Sequence, residues 1–252
     1  MKINIPDISK QIYAQDALDV LESKYSILGP IWVNQQMEWM TGIYSAFKDH
    51  DKFLIVIFLV KKALDFYSRN FTKLSYEEFY SKDSVEIGKF TIAEISKALN
   101  IPKESTRRKV IELEAEGSIK KYKKNWILDR SKFFQSKPIK SIKRISRFLS
   151  SLSEICENEK VIPKRINSDE LEFVIKKNFS YVWKIYYELQ IPMMINYKKI
   201  FKDLETFHIF GICVVNQHLY HKKSLANLAR DEFLMNISTL VNMQGINAMS
   251  IS

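Results

Sequence analysis

Cysteine, glycine and proline are all scarce in this chain. Two cysteines, Cys156 and Cys213, in 252 residues are too few for a cysteine-only zinc site and too sparse for a secreted disulfide framework. A reducing compartment, the cytoplasm, is therefore the expected location. Six Gly and six Pro leave long uninterrupted helices as the main structural material. The start, MKINIPDISKQ, has no apolar stretch of the secretory kind. The most apolar run, Phe53 to Val60, ends at Lys61-Lys62, well short of the roughly 20 residues that cross a bilayer. It reads as a buried helix, and no membrane partner is expected.

Catalytic and metal signatures are missing as well. The sequence holds no Walker phosphate loop, no dinucleotide glycine pattern and no paired-histidine zinc-protease motif. Cys213, His218 and His221 lie close together, but Cys213 and His218 are five residues apart on one expected helix and point in different directions. They read as a helix end with surface histidines, so no metal and no cofactor is expected. Asp49-His50-Asp51 contains the groups of a catalytic relay without any nucleophile signal and reads as a helix cap. The expectation is that the protein is not an enzyme.

What the chain does have is an uneven charge. With 46% apolar and 27% charged residues it resembles ordinary folding sequences, and its length suits one large domain or two modest ones. Residues 86–150 hold 17 Lys or Arg against 7 Asp or Glu, which is the entire net charge of +10, while the rest of the chain balances at zero. A polyanion-facing module within a neutral scaffold is the simplest reading.

Apolar spacing predicts helices over residues 10–28 and 31–47, separated by Gly29-Pro30. A central helix from Phe53 to Tyr67, capped by an aspartate, follows. The aromatic and charged stretch from Thr72 to Gly88 is expected to form a short amphipathic helix and a connector. From Phe90 the texture changes. TIAEISKALN puts Ile92, Ile95 and Leu99 on one helical face, and Asn100 is a residue type that tolerates a left-handed turn. IPKESTRRKVIELEAEG begins with Pro102 in a first helical turn and repeats Thr106, Val110 and Leu113 before Gly117. Ser118 to Tyr122 and Trp126 to Asp129 read as two strands joined by Lys123-Lys124-Asn125.

Helix, turn, helix, glycine and a basic hairpin together resemble the winged helix-turn-helix domain of bacterial transcription regulators. Ile101, Pro102, Ser105, Arg108, Val110, Leu113-Glu114, Gly117 and Ile119 carry the likeness, over about residues 86–130. Thr106, where the family usually buries Val, and Ser118, where it usually has an apolar residue, depart from it. The resemblance implies that the second helix enters the major groove with its N-terminal residues near base edges, while the wing meets the backbone. Lys103, Glu104, Arg107 and Arg108 then become base contacts, since Arg and Lys pair best with guanine and a carboxylate can accept from cytosine. Ser105, Lys109, Lys120, Lys121, Lys123 and Lys124 become phosphate contacts, which add affinity and salt dependence without sequence information. The basic run KPIKSIKRISR, from Lys137 to Arg147, continues along a helix striped by Ile139, Ile142, Ile145 and Leu149.

The chain also repeats itself. Phe47 to Val56 recurs as Phe201 to Phe210, with five of ten positions identical at an offset of 154. Trp32 and Trp183, and Tyr44 and Tyr197, sit ahead of the two copies, and Ile95-Ser96 is echoed by Ile251-Ser252. An internal duplication is expected, its second copy stopping where a second helix-turn-helix would begin. That fits a truncated product or fragment, or a second unit without its reader. The expected layout is a mainly α protein: a helical scaffold over residues 1–85, the winged helix-turn-helix over 86–130, a basic linker helix over 131–166, and a second scaffold over 167–252. Trp183, Tyr186 and Tyr187 are expected in the packing between repeats, with homodimerisation as the other role for such aromatics. The expected function is sequence-specific double-stranded DNA binding and transcription regulation. A replication initiator with tandem winged helices and a winged-helix protein-interaction scaffold are the alternatives.

Overall fold

Polar residues at helix ends set much of the architecture. The computed structural model describes residues 13–70, 72–129 and 138–223. Helix α1 (Ala14–Ser23) turns at Lys24 into α2 (Tyr25–Phe47), and Asp49 caps α3 (His50–Arg69) by accepting from the Lys52 amide at 2.8 Å. The expected break at Gly29-Pro30 is absent. Pro30 lies early enough in α2 that its missing amide forfeits only the bond to the Ser26 carbonyl. Gly29 serves packing instead, because a Cβ there would come within 2.8 Å of the Tyr25 ring.

A capping box of Ser75 and Glu78 starts the short α4 (Tyr76–Ser81), and where a connector was expected the chain forms strand β1 (Ser84–Gly88). A second capping box, Thr91 with Glu94, starts α5 (Ile92–Leu99), and Asn100 ends it in the left-handed region, as its residue type suggests. Pro102 precedes α6 (Lys103–Ala115) at the capping position rather than inside the first turn. Strands β2 (Ile119–Tyr122) and β3 (Asn125–Asp129) form a hairpin, and β1 pairs antiparallel with β3, giving the order β1-β3-β2. The basic helix α7 (Ile139–Asn158) buries Ile142 and half-buries Ile145 and Leu149 but leaves Ile139 exposed. Lys137 lies outside the described residues. Helices α8 (Ser168–Lys177), α9 (Phe179–Phe201) and α10 (Leu204–Lys223) follow. The structure is therefore mainly helical with one small antiparallel sheet, and no helix among the described residues is long and apolar enough to cross a membrane.

Shifted by 154 residues, the bounds of α1 and α2 fall on those of α8 and α9, and the start of α3 falls on that of α10. Helices α2 and α9 each close on a lysine with positive φ, Lys48 and Lys202. Packing is reciprocal, with α3 against α9 and α10 against α2. The second contact is close because Gly211 has no side chain: a Cβ there would meet the Met37 sulfur at 2.1 Å. One apolar cluster joins Met40 and Leu54, Leu99 and Leu113, and Met194 and Phe207, so the helix–helix–hairpin segment shares its core with the helices on both sides. Trp183 and Tyr186 are buried beside Ile142 and Phe179 in a second cluster. Ile251-Ser252, where a second helix-turn-helix is expected to begin, and the side chains of His218 and His221 lie outside the described residues.

Where the reciprocal helices meet, His50 and His208 are both buried, with ring centroids 5.3 Å apart. Glu205 Oε1 lies 2.8 Å from His50 Nδ1. The Thr41 hydroxyl donates to the Met37 carbonyl and lies 3.0 Å from His208 Nε2. Burial disfavours the charged form of Glu205, yet the bond and charge of His50 outweigh it and hold the carboxyl down at about 2. Burial, reinforced by His50, holds His208 down at about 3. Between its ordinary value near 6.5 and that value, the unfolded chain binds a proton that the folded chain refuses, so stability falls as pH falls. Urea denaturation from pH 6 to pH 4 is expected to show a loss of about 1.4 kcal/mol per pH unit from this residue. His208→Gln should flatten that slope; an unchanged slope would contradict it.

Candidate nucleic-acid interface

Helix α6 has one buried side and one free side. Ile101, Thr106, Val110 and Leu113 are buried, as the helical spacing predicts. Thr106, in a place that favours Val, keeps its hydroxyl satisfied by donating to the Ile101 and Pro102 carbonyls at 3.3 and 3.1 Å. A hydroxyl that would be costly in apolar surroundings thereby helps fasten the turn to the helix. Ser118 is also buried, and its main chain bridges α6 to the hairpin by donating to the Leu113 carbonyl and accepting from Asp129.

On the free side Lys103, Glu104, Arg107 and Arg108 are exposed, and Ser105 is half-buried. Arg107 lies 3.1 Å from Glu104, and Arg108 lies 3.9 Å from Glu112. Such exposed pairs are worth at most about 1 kcal/mol, so the guanidinium groups are readily released to another partner. Among the described residues no side chain caps the N-terminus of α6, which leaves its first amides pointing outward beside these residues.

The hairpin presents the second basic group. Lys120 pairs with Asp129 at 2.7 Å. Lys121 lies 5.2 Å above the Trp126 ring and Lys123 lies 5.4 Å above the Tyr122 ring. Lys123, with φ +55°, forms the turn together with Lys124, and all four lysines are exposed. Among the described residues Lys103 and Lys124 have no ion-pair partner. Phe90, just before α5, packs on Trp126 at 4.9 Å and ties the root of the hairpin to the helices.

Lys109 differs from the expectation. It is buried on the scaffold side of α6, and its ammonium donates to Asp49. Its position, one before Val110 and four before Leu113, turns it toward α3 rather than toward a ligand. A second tie runs the opposite way, from Lys52 on α3 to Glu116 and Glu112 on or next to α6. Burial lowers the affinity of the Lys52 ammonium for its proton, but the two carboxylates outweigh it, and its pKa is raised. These ties were missed by the reading of the sequence, because their partners lie about sixty residues apart; the polar run Asp49-His50-Asp51-Lys52 ahead of an apolar helix was the only visible sign. Among the described residues no group of three His, Cys, Asp or Glu side chains could hold a metal ion.

Comparison with protein-family models, curated proteins and solved structures finds no match for this chain.

Asp49→Ala removes the cap of α3 and strands the buried Lys109 ammonium. It should cost roughly 3 kcal/mol of unfolding free energy in urea denaturation, and a loss below about 1 kcal/mol would mean that Lys109 readily finds water.

Proposed function

We propose that this protein binds double-stranded DNA sequence-specifically through a winged helix-turn-helix made of β1, α5, α6 and the β2–β3 hairpin, and that it regulates transcription in the cytoplasm. One observation carries the reading: two helices are inserted between β1 and β2 of a sheet ordered β1-β3-β2, and the only strongly basic part of the chain supplies both the free side of α6 and the hairpin turn. In this reading the N-terminal half of α6 lies in the major groove. Lys103, Arg107 and Arg108 address guanine edges and Glu104 addresses cytosine. Ser105 and the outward amides of α6 take a phosphate, while Lys120, Lys121, Lys123 and Lys124 neutralise the backbone alongside.

The proposal includes an internal duplication, supported by the coincident helix bounds and the reciprocal packing of α2 and α3 on α10 and α9. That packing gives one chain the pseudo-paired scaffold that a homodimer would otherwise provide. The same arrangement suits a replication initiator, and the target distinguishes the two: regulation calls for an operator at a promoter, initiation for direct repeats at an origin.

Fluorescence anisotropy of labelled duplex DNA against salt tests the reading. The wild type should bind with a steep salt dependence, and changing Lys120, Lys121, Lys123 and Lys124 to Ala should reduce the log–log slope by about 3 to 4. Arg107→Ala with Arg108→Ala should flatten the preference between sequences. Lys109→Met should leave the slope where it was and lower only the stability. DNA binding that is salt-insensitive, or that ignores both sets, would favour the protein-interaction scaffold instead.

A further inference from the structure

A cavity of about 380 Å³ lies between α2, α7 and α9, within the size range of small-molecule sites. Its walls are of two kinds. Trp39, Trp183 and Tyr187 present aromatic surface, and Lys140 and Arg144 present positive charge against the single carboxylate of Glu38. At Gly42 the wall is bare, with no atom within 4 Å of where a Cβ would stand.

Arg144 is the informative residue. Its side chain is only 17% exposed, yet its contacts are thin: 3.6 Å to Glu38, which is itself half-exposed, and 3.2 Å to the Ser141 hydroxyl. The guanidinium group of Arg144 offers paired, charge-assisted donors that match the two oxygens of a carboxylate. One unit of surplus positive charge beside five aromatic side chains, the three named and Phe47 and Phe53, sets the rest of the chemistry.

We propose that this cavity is an effector site for an aromatic monocarboxylate, with the carboxylate on Arg144 and Lys140 and the ring among Trp39, Trp183 and Tyr187. The site also has a route to α6. Phe47 and Phe53 line it, and they flank the Asp49–Lys52 segment that ties α3 to α6. The same two phenylalanines and Tyr187 wall a smaller apolar space, of about 60 Å³, between α3 and the sheet at Val85 and Leu128. A bound ring therefore presses on the side chains that position the helix and sheet of the proposed DNA reader. That consequence rests on the DNA-binding reading; occupancy of the cavity does not.

Isothermal titration of the full chain with 2-naphthoate tests occupancy directly. Saturable binding is expected, weakened at least about tenfold by Arg144→Met and for the neutral probe 2-naphthamide, the loss of one charge-assisted contact. Gly42→Leu, which fills open space without touching the charge, should abolish binding while a thermal melt shows the fold retained. No saturable binding by the wild type, or equal affinity for acid and amide, or an affinity unchanged in both variants, overturns the proposal. A parallel DNA titration with and without 2-naphthoate reads the coupling: a shifted DNA affinity supports it, and an unshifted one with normal ligand binding removes the coupling alone. If the chain binds no DNA, calorimetry still decides the cavity.

Discussion

The run Asp49-His50-Asp51-Lys52 at the start of α3 sets the relation of α3 to α6, α9 and α10. Asp49 takes Lys109 of α6, and Lys52 returns to Glu112 and Glu116. His50 meets Glu205 of α10 and Asp51 meets Lys198 of α9 at 2.7 Å. Four consecutive side chains thus fix one helix end against three others. The cationic members, His50, Lys52, Lys109 and Lys198, are largely buried while their carboxylate partners are a quarter to a half exposed, and a buried ammonium or imidazole cannot be left without its partner. The ties to α6 run in opposite senses, Asp to Lys and Lys to Glu, so sliding α6 along α3 would set like charges against each other. Apolar packing alone tolerates such slips; a crossed pair of ion pairs penalises them.

The same segment connects the two halves of the chain. Reciprocal packing of α3 on α9 and α10 on α2 buries the aromatic-rich faces of both halves, and Gly211 lets α10 approach Met37. The histidine–glutamate contact sits in that seam. Movement between the halves would therefore be felt at the root of α6 through a single helical turn, which is a physical reason to look for effector binding in the adjoining cavity rather than in a remote domain.

Much of this fold was legible in the sequence, where the signals were local. Asn100, Gly117 and the apolar spacing from Ile92 to Leu113 mark α5 and α6, and Lys123-Lys124 marks the hairpin turn, because each acts within a few residues. The matched helices of the two halves were visible only as a ten-residue repeat. Strand β1 was overlooked although Val85 and Ile87 alternate with Glu86: five residues are too few to stand out beside the aromatic stretch before them, and pairing with β3, some forty residues on, is what makes them a strand. Gly29-Pro30 looked like a break because the pair is usually one, but Pro30 falls early in α2 and Gly29 accommodates the Tyr25 ring. Lys109 reads as a surface lysine in the sequence, since nothing nearby reveals Asp49 as its partner. Of the candidate contacts, those on the exposed side of α6 and on the hairpin lie where spacing puts them, and only the one whose position depends on a distant charge is elsewhere.

Hydrogen–deuterium exchange on the full chain, with and without a saturating pool of random-sequence duplex DNA at low salt, tests the central claim most directly. Recognition by α6 and the hairpin predicts that protection gained on DNA binding concentrates at the first turn of α6 and at residues 120–126, with α8 and α9 unaffected. Protection confined to α8 to α10, or no change anywhere, would contradict it.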